Sequence, residues 1–433
     1  MTAGRPHGRV LVVGGGRAGL AAAEELRRLG HAGEILILHD EDVGPYDRPA
    51  CAKGLLTGHK RPRDVQLPLL GGLDAEWRLG RRVVDLDAAE HAVLTDAGEV
   101  IGYDRLVIAS GAAPVAPAGW PMGEPGLHVL YRLADAWALR TSLRTAGRVA
   151  VVGAGLTGCE VASAVRSLAR ECVLIDSGPQ ALARPLGEVA AALVTREIAG
   201  DGVELRLGYR VEQLYRRRNR WALVLDDGQE VIADVVVAAT GDRPDTGWLQ
   251  STRQLDLTDG VLCDERLRVV GIPDAVAAGT VARWPNLRYS TVPGRVGQWI
   301  AALEQGRAAA RTLMAGDAPG PAVTHVPRFW SDQFGLCIQV CGTVPPDAEV
   351  SVTHLRPGRL DTARAGVVVG HHVDGRLTGV VAVNAPSAFT ALTRGLLATA
   401  GHTVAPERGR AATSGGARTH HRVGAPDLRL AAG

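Results

Sequence analysis

The sequence predicts an α/β protein: two parallel-sheet nucleotide-binding units, one nested inside the other, followed by a smaller α+β unit. Three observations carry this reading. Two glycine-rich loops lie 139 residues apart, at Gly14 and Gly153. Each falls between a β-branched run and an Ala-rich helical segment, the context of a strand–turn–helix nucleotide unit. Further on, V-A-A-G-T (Val276 to Thr280) reads as a strand returning to the first unit, so the second unit interrupts the first.

The first run, Arg9 to Leu26, is R-V-L-V-V-G-G-G-R-A-G-L-A-A-A-E-E-L, and the second, Arg148 to Val165, is R-V-A-V-V-G-A-G-L-T-G-C-E-V-A-S-A-V. In G-x-G-x-x-G the glycines allow a tight turn and a close approach of backbone to a pyrophosphate. The helix that follows offers free N–H groups and a positive dipole end to that anion. Gly14, Gly16 and Gly19, and Gly153, Gly155 and Gly158, are therefore candidate phosphate seats. Two such seats suggest the pair FAD and a nicotinamide dinucleotide.

Residues 9–13 and 34–38 read as buried parallel strands around the first helix. An acid near the end of the second strand, Asp40 or Glu41, could bind the adenosine ribose; spacing does not choose between them. The loop P-Y-D-R-P-A-C-A-K follows (45–53), then short strands and turns over 81–110, ending in L-V-I-A-S-G-A. Pro114, Pro117, Pro121 and Pro125 mark a linker. In the second unit the strand Cys172 to Ile175 leads into Asp176, about 20 residues past its loop. An acid there accepts from a free 2′-hydroxyl and repels a 2′-phosphate, so NADH is expected over NADPH, with Arg184 leaving some NADPH use open. Strands are expected near 203–207, 211–215 and 221–225, then comes V-V-V-A-A-T-G-D-R-P-D-T (Val235 to Thr246), and a helix is expected near 295–314. Residues 320–400 read as a separate α+β unit. Residues 401–433, rich in Gly, Ala, Arg and Thr, read as a disordered tail.

Bulk properties exclude several classes. A net charge of +2 over 433 residues gives no general attraction for nucleic acid. No apolar run approaches the roughly 18 residues that span a membrane. The first strand begins by about Val10, which leaves no room for a signal peptide, and six cysteines form no C-x-x-C pair. A cytoplasmic, reduced protein without a metal site is the expectation.

At this point the motifs converge. P-Y-D-R-P…K (45–53), both glycine loops, A-T-G-D-R-P-D-T (239–246), V-A-A-G-T-V-A-R-W-P (276–285), E-Q-G-R-A-A-A (304–310) and P-R-F-W-S-D-Q-F-G-L-C-I-Q (327–339) stand together. Over roughly residues 8–400 the chain resembles the FAD-dependent ferredoxin reductases of bacterial oxygenase and cytochrome P450 systems. These belong to the pyridine nucleotide-disulfide oxidoreductase superfamily and are similar to apoptosis-inducing factor. The resemblance implies two Rossmann-like domains, an FAD domain (1–117 and 241–319) interrupted by an NAD domain (118–240), then a C-terminal interface domain (320–400). It implies electron flow from NADH through FAD to an iron–sulfur protein serving a P450 or oxygenase. It also places Arg48 and Lys53 against FAD, pairs Lys53 with Glu160 at the flavin edge, and sets Trp330, Asp332 and Gln333 near the flavin ring. Gly111, Gly241, Gly279 and Thr280 join the cofactor-binding set. Trp299 and Trp330 could pack in the core or cover the ring. The other reading of Glu160 is a helix-start acid.

Three departures matter. Relatives of this kind usually carry Asp where this chain has Thr280, and often an aromatic where it has Val276. A neutral hydroxyl in place of a carboxylate predicts weaker FAD retention. Cys51 lies near the redox thiol of single-cysteine relatives, which raises a peroxide or disulfide reductase as an alternative. A degenerate NADH-binding flavoprotein with little turnover is the other.

Overall fold

The computed structural model describes residues 8–69, 73–354 and 366–398. The tail expected over 401–433 lies outside them.

The first sheet has five parallel strands in the order 275–277, 105–108, 10–13, 35–39, 76–79. The second repeats the plan with 204–207, 171–176, 148–152, 235–238 and 127–129. In both, the strand that enters the glycine loop is central and wholly apolar but for Arg148. Burial on both faces explains these unbroken Val/Leu runs. Each sheet also carries a three-stranded antiparallel companion, over 83–102 and 211–233. The V-A-A segment does return to the first sheet, pairing Ala275–Ala277 with Leu106–Ile108.

The helices are α1 (Arg17–Arg28), α2 (Gly54–Thr57), α3 (Leu133–Leu143), α4 (Leu156–Ser167), α5 (Ala183–Gly200), α6 (Trp299–Ala315) and α7 (Pro386–Ala398). Helix α6 begins four residues later than expected, because Gly294 and Arg295 pair as strand with Trp284 and Arg283. Helices α1 and α6 pack tightly: a Cβ on Gly306 would stand 2.3 Å from the Ala18 carbonyl oxygen.

The chain crosses between the two units twice. Both crossings run side by side, with Ala112–Pro114 paired antiparallel to Asp242–Pro244. The C-terminal unit is an antiparallel sheet in the order 328–333, 336–342, 376–383, 367–373, 349–354, backed by α7. One continuous apolar core joins α2 and α3, the second sheet and this last sheet, through Leu55, Leu139, Val165, Ile338 and Val383. The three units therefore meet on a shared core, and the site lies along that meeting line.

Candidate functional site

A cleft runs from the first glycine loop to the junction of the three units. Gly14 and Gly153 both take φ near +108° (+109° and +107°), a conformation that costs glycine nothing. A Cβ on Gly19 would stand 1.9 Å from the Gly14 carbonyl, and one on Gly158 would stand 1.8 Å from that of Gly153. Packing of strand on helix dictates these four. The middle glycines are different. A Cβ on Gly16 or Gly155 would meet no protein atom within 4 Å. Their smallness serves the space in front of each helix N-terminus, and that space fits a pyrophosphate.

The two loops differ at the end of the neighbouring strand. Asp176 ends its strand and accepts from the Ala154 N–H at 2.6 Å and the Gly178 N–H at 2.7 Å. In the first unit the equivalent place is held by His39, whose Nδ1 accepts from the Gly15 N–H at 3.2 Å. Burial lowers the pKa of this imidazole, which keeps it neutral and an acceptor. The two acids expected near the strand end, Asp40 and Glu41, follow it directly. Asp40 pairs with Arg132 at 2.5 Å. Glu41 is buried between Arg48, at 2.8 Å, and the Tyr46 hydroxyl, at 2.9 Å. Both acids still border the cleft, but each is already committed to a cation. Arg48 also donates to the Tyr131 carbonyl and stacks on both tyrosine rings, so its guanidinium is fixed as part of the wall.

At the junction, Lys53 Nζ stands 3.1 Å from Glu160 Oε1. Ser331 Oγ donates to the same carboxylate at 2.5 Å, and Gln333 Nε2 donates to Ser331 Oγ at 3.1 Å. One chain of hydrogen bonds therefore links an element of each unit. Burial raises the Glu160 pKa, while Lys53 and Ser331 pull it back. Glu160 is the fifth residue of α4, past the first turn, so the helix dipole is not what holds it.

The strand carrying W-S-D-Q alternates faces. Trp330 borders the cleft and is half exposed. Asp332 is exposed and away from the cleft, and Gln333 is buried behind Ser331, so neither lines the site as the resemblance implied. Ser331 takes the inner place instead, and no motif spacing singled it out. Trp299 and Arg328 are also on the wall.

Gly111, Gly279 and Thr280 border the cleft. Gly279 N–H donates to the buried Gln305 at 2.7 Å, which ties α6 to the returning strand. Gly241 occupies the crossing ribbon, with its carbonyl accepting from Val115 N–H. Of the second unit, Leu130, Tyr131, Arg132, Leu156, Thr157 and Glu160 reach the cleft; Gly153, Gly155, Gly158, Asp176 and the exposed Arg184 do not line it. Cys51 is buried at the cleft wall, and burial pushes its thiol up to about 12. Among the described residues no helix is long and apolar enough to cross a membrane.

Comparisons with known proteins agree with this geometry. The model for the pyridine nucleotide-disulphide oxidoreductases matches residues 8–306, and the reductase C-terminal model matches residues 328–412. The chain is 30% identical to the biphenyl dioxygenase system ferredoxin–NAD(+) reductase component of Paraburkholderia xenovorans, over 89% of this chain and 92% of that one. It is 33% identical to the p-cumate 2,3-dioxygenase system ferredoxin–NAD(+) reductase component of Pseudomonas putida, covering 78% and 82%. In structure it is similar to the ferredoxin reductase for the CYP199A2 system from Rhodopseudomonas palustris, with a TM-score of 0.81, 26% identity and coverage of 89% and 93%. The nested sheets, the two glycine seats and these matches together make this chain a member of the pyridine nucleotide-disulphide oxidoreductase family.

Proposed function

We propose that this protein takes electrons from NADH and passes them, through FAD, to a ferredoxin-type iron–sulfur protein that serves an oxygenase or P450. The observation that carries this reading is the junction itself, where Lys53, Glu160 and Ser331 bring all three units to one end of the cleft. Bound there, FAD would supply the conversion of a two-electron donor into single electrons. Gly14, Gly16 and Gly19 hold its pyrophosphate, with Arg48 and Lys53 along its length. Gly153, Gly155, Gly158 and Asp176 hold NADH, and the Asp176 carboxylate favours the coenzyme without a 2′-phosphate. Trp330, half exposed beside the cleft, offers the partner an aromatic contact, and neighbouring arginines suit an acidic surface. A cytoplasmic location is part of the proposal and suits six free cysteines, among which the described residues form no disulfide.

The test is a visible spectrum of the purified protein, then anaerobic NADH, then an oxidised ferredoxin. Rapid bleaching of a flavin spectrum followed by ferredoxin reduction is expected. A flavin that NADH bleaches but ferredoxin cannot reoxidise would overturn the acceptor, and a flavin inert to NADH would overturn the whole path.

A buried, protonated thiol is a poor nucleophile, so the cysteine-based alternative loses its footing. Cys51→Ser is expected to change ferredoxin reduction by less than about twofold. A collapse of turnover in that variant would reinstate the thiol.

Thr280 borders the cleft with Arg295 donating to its carbonyl oxygen at 3.2 Å. Arg295 is itself paired with Asp259 at 2.7 Å. Thr280→Asp is expected to tighten FAD about tenfold through a charge-assisted bond. Titration of the flavin-free protein with FAD measures it; equal or weaker binding in the variant would contradict the expectation.

A further inference from the structure

The two glycine loops repeat closely, but they part at the first residue of the helix. It is Leu156 in the second unit and Arg17 in the first. Arg17 follows Gly16 directly and borders the cleft. Its guanidinium is half-buried, and burial lowers its pKa. Among the described residues no carboxylate lies within 4 Å of it, and it makes no side-chain hydrogen bond. Its charged surroundings are mixed. Glu24, two helical turns along α1, attracts it, and Arg307 on α6 repels it. Ala18 and Gly306, the chain neighbours of Arg17 and Arg307, lie in the tight seam between α1 and α6, which brings the two arginines near one another. A half-desolvated cation with a like-charged neighbour and no ion pair is stabilised by an anion. The open space beside Gly16 is where one would sit.

We propose that Arg17 is a cofactor-positioning residue: it holds the pyrophosphate of the dinucleotide seated on the first glycine loop, and it makes that grip depend on charge. This rests on the reading that the first loop binds FAD. It also bears on Thr280. With no carboxylate to hold the middle of the cofactor, retention shifts toward the phosphates. Arg17 supplies there a donor that the second loop lacks.

The experiment compares flavin-free wild type, Arg17→Leu and Arg17→Lys, each titrated with FAD at low and high salt by quenching of flavin fluorescence. Leucine is the residue of the matching place in the second loop, so that variant keeps a fold-compatible side chain. Unchanged binding of NADH and an unchanged melting temperature without flavin check that it does. Arg17→Leu is expected to weaken FAD about tenfold or more. Wild-type affinity should fall as salt rises, and that dependence should flatten in Arg17→Leu and persist in Arg17→Lys. Riboflavin, which has no phosphate, should bind wild type and Arg17→Leu alike. Equal FAD affinity and equal salt dependence in wild type and Arg17→Leu would overturn the inference while leaving the FAD site in place. A wild type that binds no FAD would overturn both.

Discussion

Lys53→Met is expected to lower stability by about 3 kcal/mol at neutral pH, with a loss that grows as pH rises. Glu160 keeps only about a tenth of its side chain exposed, and Lys53 is the nearest cation. Removing that cation leaves a buried carboxylate with Ser331 as its one side-chain hydrogen-bond donor among the described residues. The direction in pH follows from linkage. Burial already raises the Glu160 pKa above its ordinary 4.5, so its contribution is present below that value and is lost as pH rises through the folded one. Without Lys53 the folded pKa climbs further, and the penalty at neutral pH increases. Melting temperatures of wild type and variant should therefore converge near about pH 4.5 and separate by about pH 8. A gap that does not change with pH would remove Glu160 from the account. The same variant should slow reduction of bound flavin by NADH, as should Glu160→Ala, by about tenfold or more if the pair steadies charge at the flavin edge. A variant with normal flavin reduction but lost stability would confine the pair to holding the units together.

Asp176→Ala is expected to have the largest effect on coenzyme choice. The carboxylate touches two backbone N–H groups and ends the strand beside the second loop. Its loss should cut kcat/KM for NADH by about 10- to 100-fold, the value of a charge-assisted bond, while NADPH suffers less because a repulsion is removed. The ratio of the two coenzymes is the quantity to measure. An unchanged ratio, even with both values lowered, would show that Asp176 only shapes the loop.

What was legible in the sequence was whatever local spacing controls. Gly14 and Gly153 announce their turns because a positive φ and a close approach need glycine at fixed offsets, and Asp176 follows from strand length. The first unit is less direct at the same place. Its strand ends in His39, and the two acids that follow, Asp40 and Glu41, are held by Arg132 and Arg48. The Asp40–Arg132 pair spans 92 positions and has no local signature. Ser331 was hidden for another reason. W-S-D-Q advertises its large and charged members, whereas strand alternation turns the serine inward and Asp332 outward. The Lys53–Glu160 contact could be named from a family resemblance, but its third member needed the register of a sheet.

The side-by-side crossings at Ala112–Pro114 and Asp242–Pro244 have a consequence for how the chain is made. All five strands of the inserted sheet lie between Leu127 and Ala238. The surrounding sheet gains its last strand only at Ala275–Ala277. During synthesis the guest can close before the host, which until then keeps one flank of Leu106–Ile108 unpaired. An open apolar edge held through the synthesis of an entire guest domain is an invitation to wrong partners. The short ribbon at the crossings limits that exposure in one respect. Once the guest has folded, its two ends emerge together, and the late strand is delivered beside the gap it must fill.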